Sequence, residues 1–519
     1  MSNSTATSES RSQPAGSRLG DPVVLILSIG FILGFIALSL YDVDMVANGI
    51  STGFAWTAKT LGSYFQWLLL LSFFVAIALA FSPVSRARIG NLDTPEISTF
   101  KWLSMIMCTL LAGGGVFFAA GEPVYHFVVT PPAFDTEPGT ADAIAGALAQ
   151  SFMHWGFLAW AVLGTLASVV LAHAHYVKGL PLQPRTLLVP VFGERAMSGP
   201  LGGVVDAMCV IAVVAGTVGP IGFLATQVSY GFHELFGTSD GYATQLAVLV
   251  ALAVVYVTSA MTGIHRGIQL LSRFNVFLAL AIAAAIFVFG PTLFLTNAFT
   301  QGFGEYLSSF FSMATMTTQT APDWWMQWWT VFFFAWFIGY GPLMAIFVAR
   351  ISRGRSIRQM ILAVAVMAPV ATALWFTLLG GSGIYYQLSG AIDLSEALNN
   401  FQFDVATLTV AQALPGGGLM AAAILLLTTI FVATTGDSMS YAISVVGSGH
   451  DEPSPWVRAF WGVAMALMAA ILLRMGAGQI GALQQFIVIT AIPVSLVLLP
   501  TLWTGPKAAR EMAREQGLM

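Results

Sequence analysis

Apolar windows of about 20 residues, the length an α-helix needs to cross the hydrocarbon core of a bilayer, recur from one end of this sequence to the other. They fall near 23–41, 60–81, 102–121, 146–172, 204–232, 243–262, 274–296, 326–349, 359–380, 418–446, 457–473 and 480–503. The pattern predicts an all-α polytopic membrane protein with 12 transmembrane helices and both ends on one side. Composition agrees, because 57% hydrophobic and 8% charged residues with a mean hydropathy of +0.80 are incompatible with the surface of a soluble domain.

Charge placement supplies the orientation. Apart from Lys59 and Arg474, every one of the 20 Lys and Arg residues lies in a tail or in a loop on the side of the termini. By the positive-inside rule both termini are expected in the cytoplasm. The net charge of −4 is small and says nothing about partners. Cys108 and Cys209 both sit inside apolar windows, so neither a disulfide framework nor a zinc site is expected. Residues 1–21 read as a short disordered tail and not as a cleavable signal. The outer loops 122–145, 297–323 and 381–416 are long, and the middle one has the helical spacing of a segment lying flat at the membrane interface.

The densest motif is residues 323–358, an aromatic helix that runs into a cluster of arginines. Trp324, Trp325, Trp328 and Trp329 suit an interfacial belt. Trp336 and Tyr340 lie near mid-bilayer depth, where an indole or a phenol needs a partner or a cavity. Arg350, Arg353, Arg355 and Arg358 read as an anchor to anionic headgroups, with a gate latch as the alternative.

Three other windows carry polar or flexible runs. In the third, Ala112-Gly113-Gly114-Gly115 either permits close helix packing or marks an unwound stretch whose backbone faces a cavity. In the fourth, Trp155 and Trp160 diverge by roughly 140° around a helix axis, as an interfacial pair or as two walls of one cavity. His154 beside them reads as a hydrogen-bonded core histidine, because no second ligand sits at metal-binding spacing. In the tenth, Phe431 to Ser440 brings Thr434, Thr435, Asp437 and Ser438 to membrane depth. The two readings are hard oxygen ligands for an alkali cation, or hydroxyls bonded back to their own helix with Asp437 capping a break.

These residues resemble the betaine/choline/carnitine transporter family. The resemblance rests on ARISRGRSIRQ at 349–359, HWGFLAW at 154–160, TTGDS at 434–438, GEP at 121–123 and GIHRGIQLLSRFN at 263–275. It implies a LeuT-like 5+5 core of inverted repeats, at 102–297 and 324–504, with two extra N-terminal helices in the peripheral segment 22–101. It also implies a periplasmic amphipathic segment at 298–323, a short cytoplasmic tail at 505–519, a bacterial inner membrane location and a homotrimer. Residues 505–519 hold only Lys507, Arg510 and Arg514 as cations, so osmotic gating by the long basic extension of gated relatives is not expected.

Carried over from the family, an aromatic box for a quaternary ammonium would use Trp155, Trp160, Trp336, Phe337 and Tyr340, with Ala112, Gly113 and Gly114 approaching the headgroup. Leu163 stands where many members have Tyr, Phe337 and Tyr340 where Trp is usual, and Leu110 at the first glycine of the family signature. The resemblance therefore leaves glycine betaine, choline, carnitine and dimethylsulfoniopropionate open as solutes. One sodium site would join Thr434 and Thr435 with the backbones of Phe431, Cys108 and Leu111. A second keeps Thr217 but has Val213 where a hydroxyl is expected. Residues 204–232 contain no arginine of the kind found in sodium-independent exchangers.

The expectation is sodium-coupled uptake of a methylated onium compound by alternating access, with exchange as the alternative. No cofactor besides Na+ as coupling ion and no nucleic-acid partner is expected. Neither an enzyme nor a passive channel is expected: no nucleophile with a base and no His-Glu-x-x-His set occurs, and a channel would lack paired broken helices in windows three and ten.

Overall fold

A computed structural model describes residues 21–110, 114–262, 265–448 and 453–519, with side chains described throughout except at 108–110 and 265–269. Within these residues the chain is helical, and eleven helices are long and apolar enough to cross a membrane. The first is α1 (Pro22–Tyr41), opened by Asp21, whose carboxylate caps the Val23 amide, with Pro22 at the first helical position. Only Asp42 separates it from α2 (Val43–Phe81); its own amide closes α1 on Leu38 while its side chain accepts from Met45 and opens α2. The stretch 42–59 between the first two apolar windows is therefore helix from residue 43 on, because one aspartate serves both ends.

The third apolar window is covered by α3 (Thr99–Leu110) and α4 (Val116–Val128), with 111–113 outside the described residues. Neither piece alone is long enough to span, which is why the described spans number eleven and not twelve. The fourth window is α5 (Ala143–Tyr176), and it is interrupted at Gly156 and at Thr165. The sequence reading did not foresee these breaks. A Cβ at Gly156 would lie 2.1 Å from the Phe152 carbonyl, so only glycine passes here. The Phe157 amide, freed by the break, donates to the Tyr306 hydroxyl at 3.0 Å.

The chain continues through α6 (Pro200–Phe236), α7 (Tyr242–Thr262), α8 (His265–Phe289) and α9 (Thr292–Ser308). Then come α10 (Asp323–Ile351), α11 (Ile357–Leu388), the short α12 (Ala406–Ala413), α13 (Gly417–Ser448), α14 (Pro455–Met475), α15 (Gly481–Leu498) and α16 (Thr501–Glu515). Buried α5 and α10 lie centrally, with α6 packed on α13 and α10 on α15, while α8 keeps Phe274, Phe277 and Phe287 exposed, as a lipid-facing helix does. The segment expected to lie flat outside begins as α9, whose Gly302 sits 2.8 Å, measured from an added Cβ, from Leu148 of α5. A second correction concerns α13, which runs unbroken through Thr434, Thr435 and Gly436. The broken helix expected there is absent, and the break lies in α5 instead.

The arginine-rich loop is a clasp. Ile89 donates to the Arg355 carbonyl at 2.9 Å and Gly354 to the Ile89 carbonyl at 2.7 Å, which knits 352–357 to 87–97. Arg353 pairs with Glu96, Arg355 lies over the Trp102 ring, and Arg358 reaches the Ala80 carbonyl. On the same face, Gln516 at the end of α16 bonds both backbone groups of Arg88.

Candidate functional site

The aromatic sequence of α10 places two consecutive rings, Trp336 and Phe337, nearly parallel to each other, with centroids 6.2 Å apart and 10° between their planes. Trp155, the last residue of α5 before its break at Gly156, stands edge-on to both, at 5.9 Å from Trp336 and 5.5 Å from Phe337. All three are buried. Where α3 gives way to α4, Gly114 meets the tips of both indoles. A Cβ there would lie 2.4 Å from Trp336 and 2.5 Å from Trp155, so glycine is the residue that lets backbone, α5 and α10 converge.

Helix α6 closes another side. The Trp336 indole nitrogen donates to the Gly216 carbonyl at 3.2 Å, and the hydroxyls of Thr217 and Tyr340 lie 3.1 Å apart. Thr217, expected as a possible sodium ligand, is thus bonded to an expected box residue and also donates to its own helix at Val213. Trp160 lies beyond the break in α5. It is buried and donates to Thr372 on α11 at 3.1 Å, with no ring contact to Trp155 or Trp336 among the described residues. Ala112 and Gly113 fall outside the described residues.

Sequence reasoning missed Phe118, Phe223, Phe333 and Phe376. Phe223 stands edge-on to Trp336 at 5.7 Å, and Phe376 lies 5.3 Å from Trp155. Phe333 was within reach of pattern reading, being one helical turn before Phe337. Phe376, in a plain apolar run of α11, carries no sequence signal.

Behind Trp155 is a buried polar cluster. Its indole nitrogen donates to Glu122 Oε2 at 2.7 Å, His154 Nδ1 lies 2.6 Å from Glu122 Oε1, and His126 Nε2 lies 3.6 Å from the same oxygen. His154 Nε2 faces Gln150 at 3.1 Å and Thr330 at 3.3 Å. His154 looked isolated along the chain, and the fold supplies the carboxylate and second imidazole that local spacing did not.

Of the expected sodium ligands, Thr434 is buried and donates to the Ile430 and Phe431 carbonyls at 2.9 and 3.2 Å. The neighbouring Thr435 hydroxyl has no hydrogen bond among the described residues. Cys108 lies in α3 with its side chain outside the description, and Leu111 lies outside it altogether.

Comparison with known proteins identifies the family. The model of the betaine/carnitine/choline family transporters matches residues 23–514. The chain is 49% identical to glycine betaine transporter 2 of Vibrio parahaemolyticus, over 96% of this chain and 91% of that protein. It is 32% identical to the glycine betaine transporter OpuD of Bacillus subtilis, covering 88% of each. It is 30% identical to the betaine/ectoine transporter LcoP of Corynebacterium glutamicum, over 95% of this chain and 79% of that protein. The chain therefore belongs to the betaine/carnitine/choline transporter family, a multi-pass membrane transporter and not an enzyme.

Proposed function

We propose that this protein takes up a small methylated onium zwitterion by sodium-coupled alternating access, with glycine betaine the first candidate. The observation that carries the reading is the convergence of Trp155, Trp336 and Phe337 on Gly114 in the interior of the helix bundle. A trimethylammonium group donates no hydrogen bond and is held by aromatic faces, at about 0.5–2 kcal/mol per contact. Trp155 meets both Trp336 and Phe337 edge to face, so solute entry requires Trp155 to swing away from them. The break at Gly156 gives it a hinge. The relatives' names favour betaine, while Phe337 and Tyr340 leave room for a solute with a differently shaped headgroup.

In this reading α3 and α4 form a twelfth span and the termini face the cytoplasm. Residues 102–297 and 324–504 form the two inverted repeats. Thr434 and Thr435 bind the coupling sodium, with Thr217 a second point of contact. Proteoliposome uptake of labelled glycine betaine, choline, carnitine and dimethylsulfoniopropionate tests it. Uptake of one of them should be saturable, concentrative and steeply dependent on an inward sodium gradient; solute accumulation with no such dependence rejects the coupling.

One observation favours sodium-independent exchange as the second reading: α13 is continuous through Thr434, Thr435 and Gly436, so no break there opens backbone carbonyls to a cation. Counterflow that persists without sodium on either side would select it.

A further inference from the structure

The geometry points to a transition-metal site of the zinc type formed by Glu122, His126 and His154, whose occupancy opposes solute binding. The three residues are fully buried, and one ligand atom from each lies within 4.8 Å of the others. Two imidazoles and a carboxylate are a zinc donor set, with a water completing the tetrahedron. Zinc-to-ligand distances of about 2.0–2.2 Å put tetrahedral ligand atoms about 3.4 Å apart. His126 Nε2 and Glu122 Oε1 already stand at 3.6 Å. His154 Nδ1, at 2.6 Å from the same oxygen, shares a proton with it and opens by a fraction of an ångström when a metal displaces that proton.

Two independent features say that the cluster is more than a hydrogen-bonded pair. Among the described residues both ring nitrogens of His126 are buried without a hydrogen-bond partner, although the ring packs against Trp329 at 4.5 Å and is held in place. A buried imidazole left so is costly, and a metal at Nε2 removes the cost. The far nitrogen of His154 carries a proton when a metal sits at Nδ1, and it can donate to the Thr330 hydroxyl at 3.3 Å or, once the Gln150 amide turns, to the Gln150 oxygen, which is buried without a partner among the described residues.

The consequence for transport follows from charge, and this part rests on the onium reading above. Glu122 Oε2 accepts from Trp155, so the metal would sit directly behind the aromatic wall. Without metal the carboxylate, charged or sharing a proton, is neutral or attractive toward a cation on the other face of Trp155. With a divalent ion, one carboxylate and two neutral imidazoles the site is net positive and repels it.

The test uses the full chain purified with an affinity tag free of histidine and stripped with a chelator. Cobalt(II) titration should give the intense visible bands of a four-coordinate site at one ion per chain, and these should be lost on adding zinc and in H126Q. In proteoliposomes, zinc should raise the apparent betaine constant several-fold in the wild type and leave H126Q unaffected. Absence of the cobalt bands in the wild type overturns the site whether or not H126Q folds, and so does their persistence in H126Q. Metal binding with zinc-insensitive uptake overturns the inhibitory role. Metal binding in a chain that transports no onium compound rejects the transport reading and leaves the site standing.

Discussion

Trp336 and Gly216 are joined by a 3.2 Å hydrogen bond from the indole nitrogen to the backbone carbonyl, so α6 grips one edge of the ring that α10 presents. The bond fixes which face of Trp336 is turned toward the site, and a ring so held loses little entropy on binding solute. Trp336→Leu should raise the apparent solute constant at least about tenfold, or ~1.4 kcal/mol. Trp336→Phe keeps a π face but leaves the carbonyl unpaired, a loss of about 1 kcal/mol. Initial-rate uptake across solute concentrations reads both, and unchanged kinetics in the leucine variant would remove Trp336 from the site.

Gly114 should tolerate no side chain. An added methyl falls within 2.5 Å of both indole tips, while Phe223 packs against Trp336 and Phe376 against Trp155 in this closed arrangement. Overpacking of this kind costs about 1–3 kcal/mol. Gly114→Ala should therefore lower both uptake at sub-saturating solute and melting temperature. Gly34→Ala is the control, because apart from its own helix no described residue comes within 4 Å of the added carbon in α1. Equal behaviour of the two variants would mean that Gly114 does not set the approach of Trp155 and Trp336.

Much of this was legible along the chain, for physical reasons that differ by residue. The spans could be read because lipid forces long apolar helices, and Trp336 stood out because an indole at mid-membrane depth needs an explanation. The one-residue turn at Asp42 was not readable, since the mixed stretch 42–59 falls short of an apolar window until the cap on Met45 is seen. Thr434-Thr435-Gly436 suggested a break because glycine weakens helices. Yet Gly436 packs against the Tyr256 ring, and Thr434 bonds back within its own turn, so the helix holds. Conversely, Gly156 gave no local warning, because what excludes a side chain there is a carbonyl of the preceding turn and a tyrosine from α9. The Glu122, His126 and His154 cluster joins two helices, and no spacing rule along one helix finds it.

The sodium reading separates the two threonines. Thr434 donates its hydroxyl proton to its own helix, which leaves its lone pairs for a cation, whereas Thr435 has no such bond among the described residues. Thr435→Ala should raise the sodium concentration for half-maximal uptake severalfold with little change in melting temperature. Thr434→Ala should do the same while relaxing a back-bonded turn. Sodium activation curves for both variants check this, and curves superimposable on the wild type would take α13 out of the coupling site.

Arg185 holds the start of the first span in place, bonding Asp206 Oδ2 through Nε at 2.5 Å and Asp21 Oδ2 through Nη2 at 2.6 Å. Asp206 is fully buried, so Arg185→Ala strands its carboxylate and should cost about 3–5 kcal/mol. Asp21 is nearer the surface, and Asp21→Asn should cost only about 1 kcal/mol or less. Burial alone would raise the Asp21 pKa, but the Arg185 guanidinium and the Val23 amide outweigh it and hold the group below its ordinary 3.8. A depressed carboxylate pKa contributes stability that is fully present above 3.8 and is lost as the pH falls through the lowered value. Thermal melts of the wild type should therefore drop on acidification below pH 3.8, and the part of that drop due to Asp21 should vanish in Asp21→Asn. Parallel melting curves for the two proteins across that range would show that the contact between Asp21 and Arg185 does not secure α1.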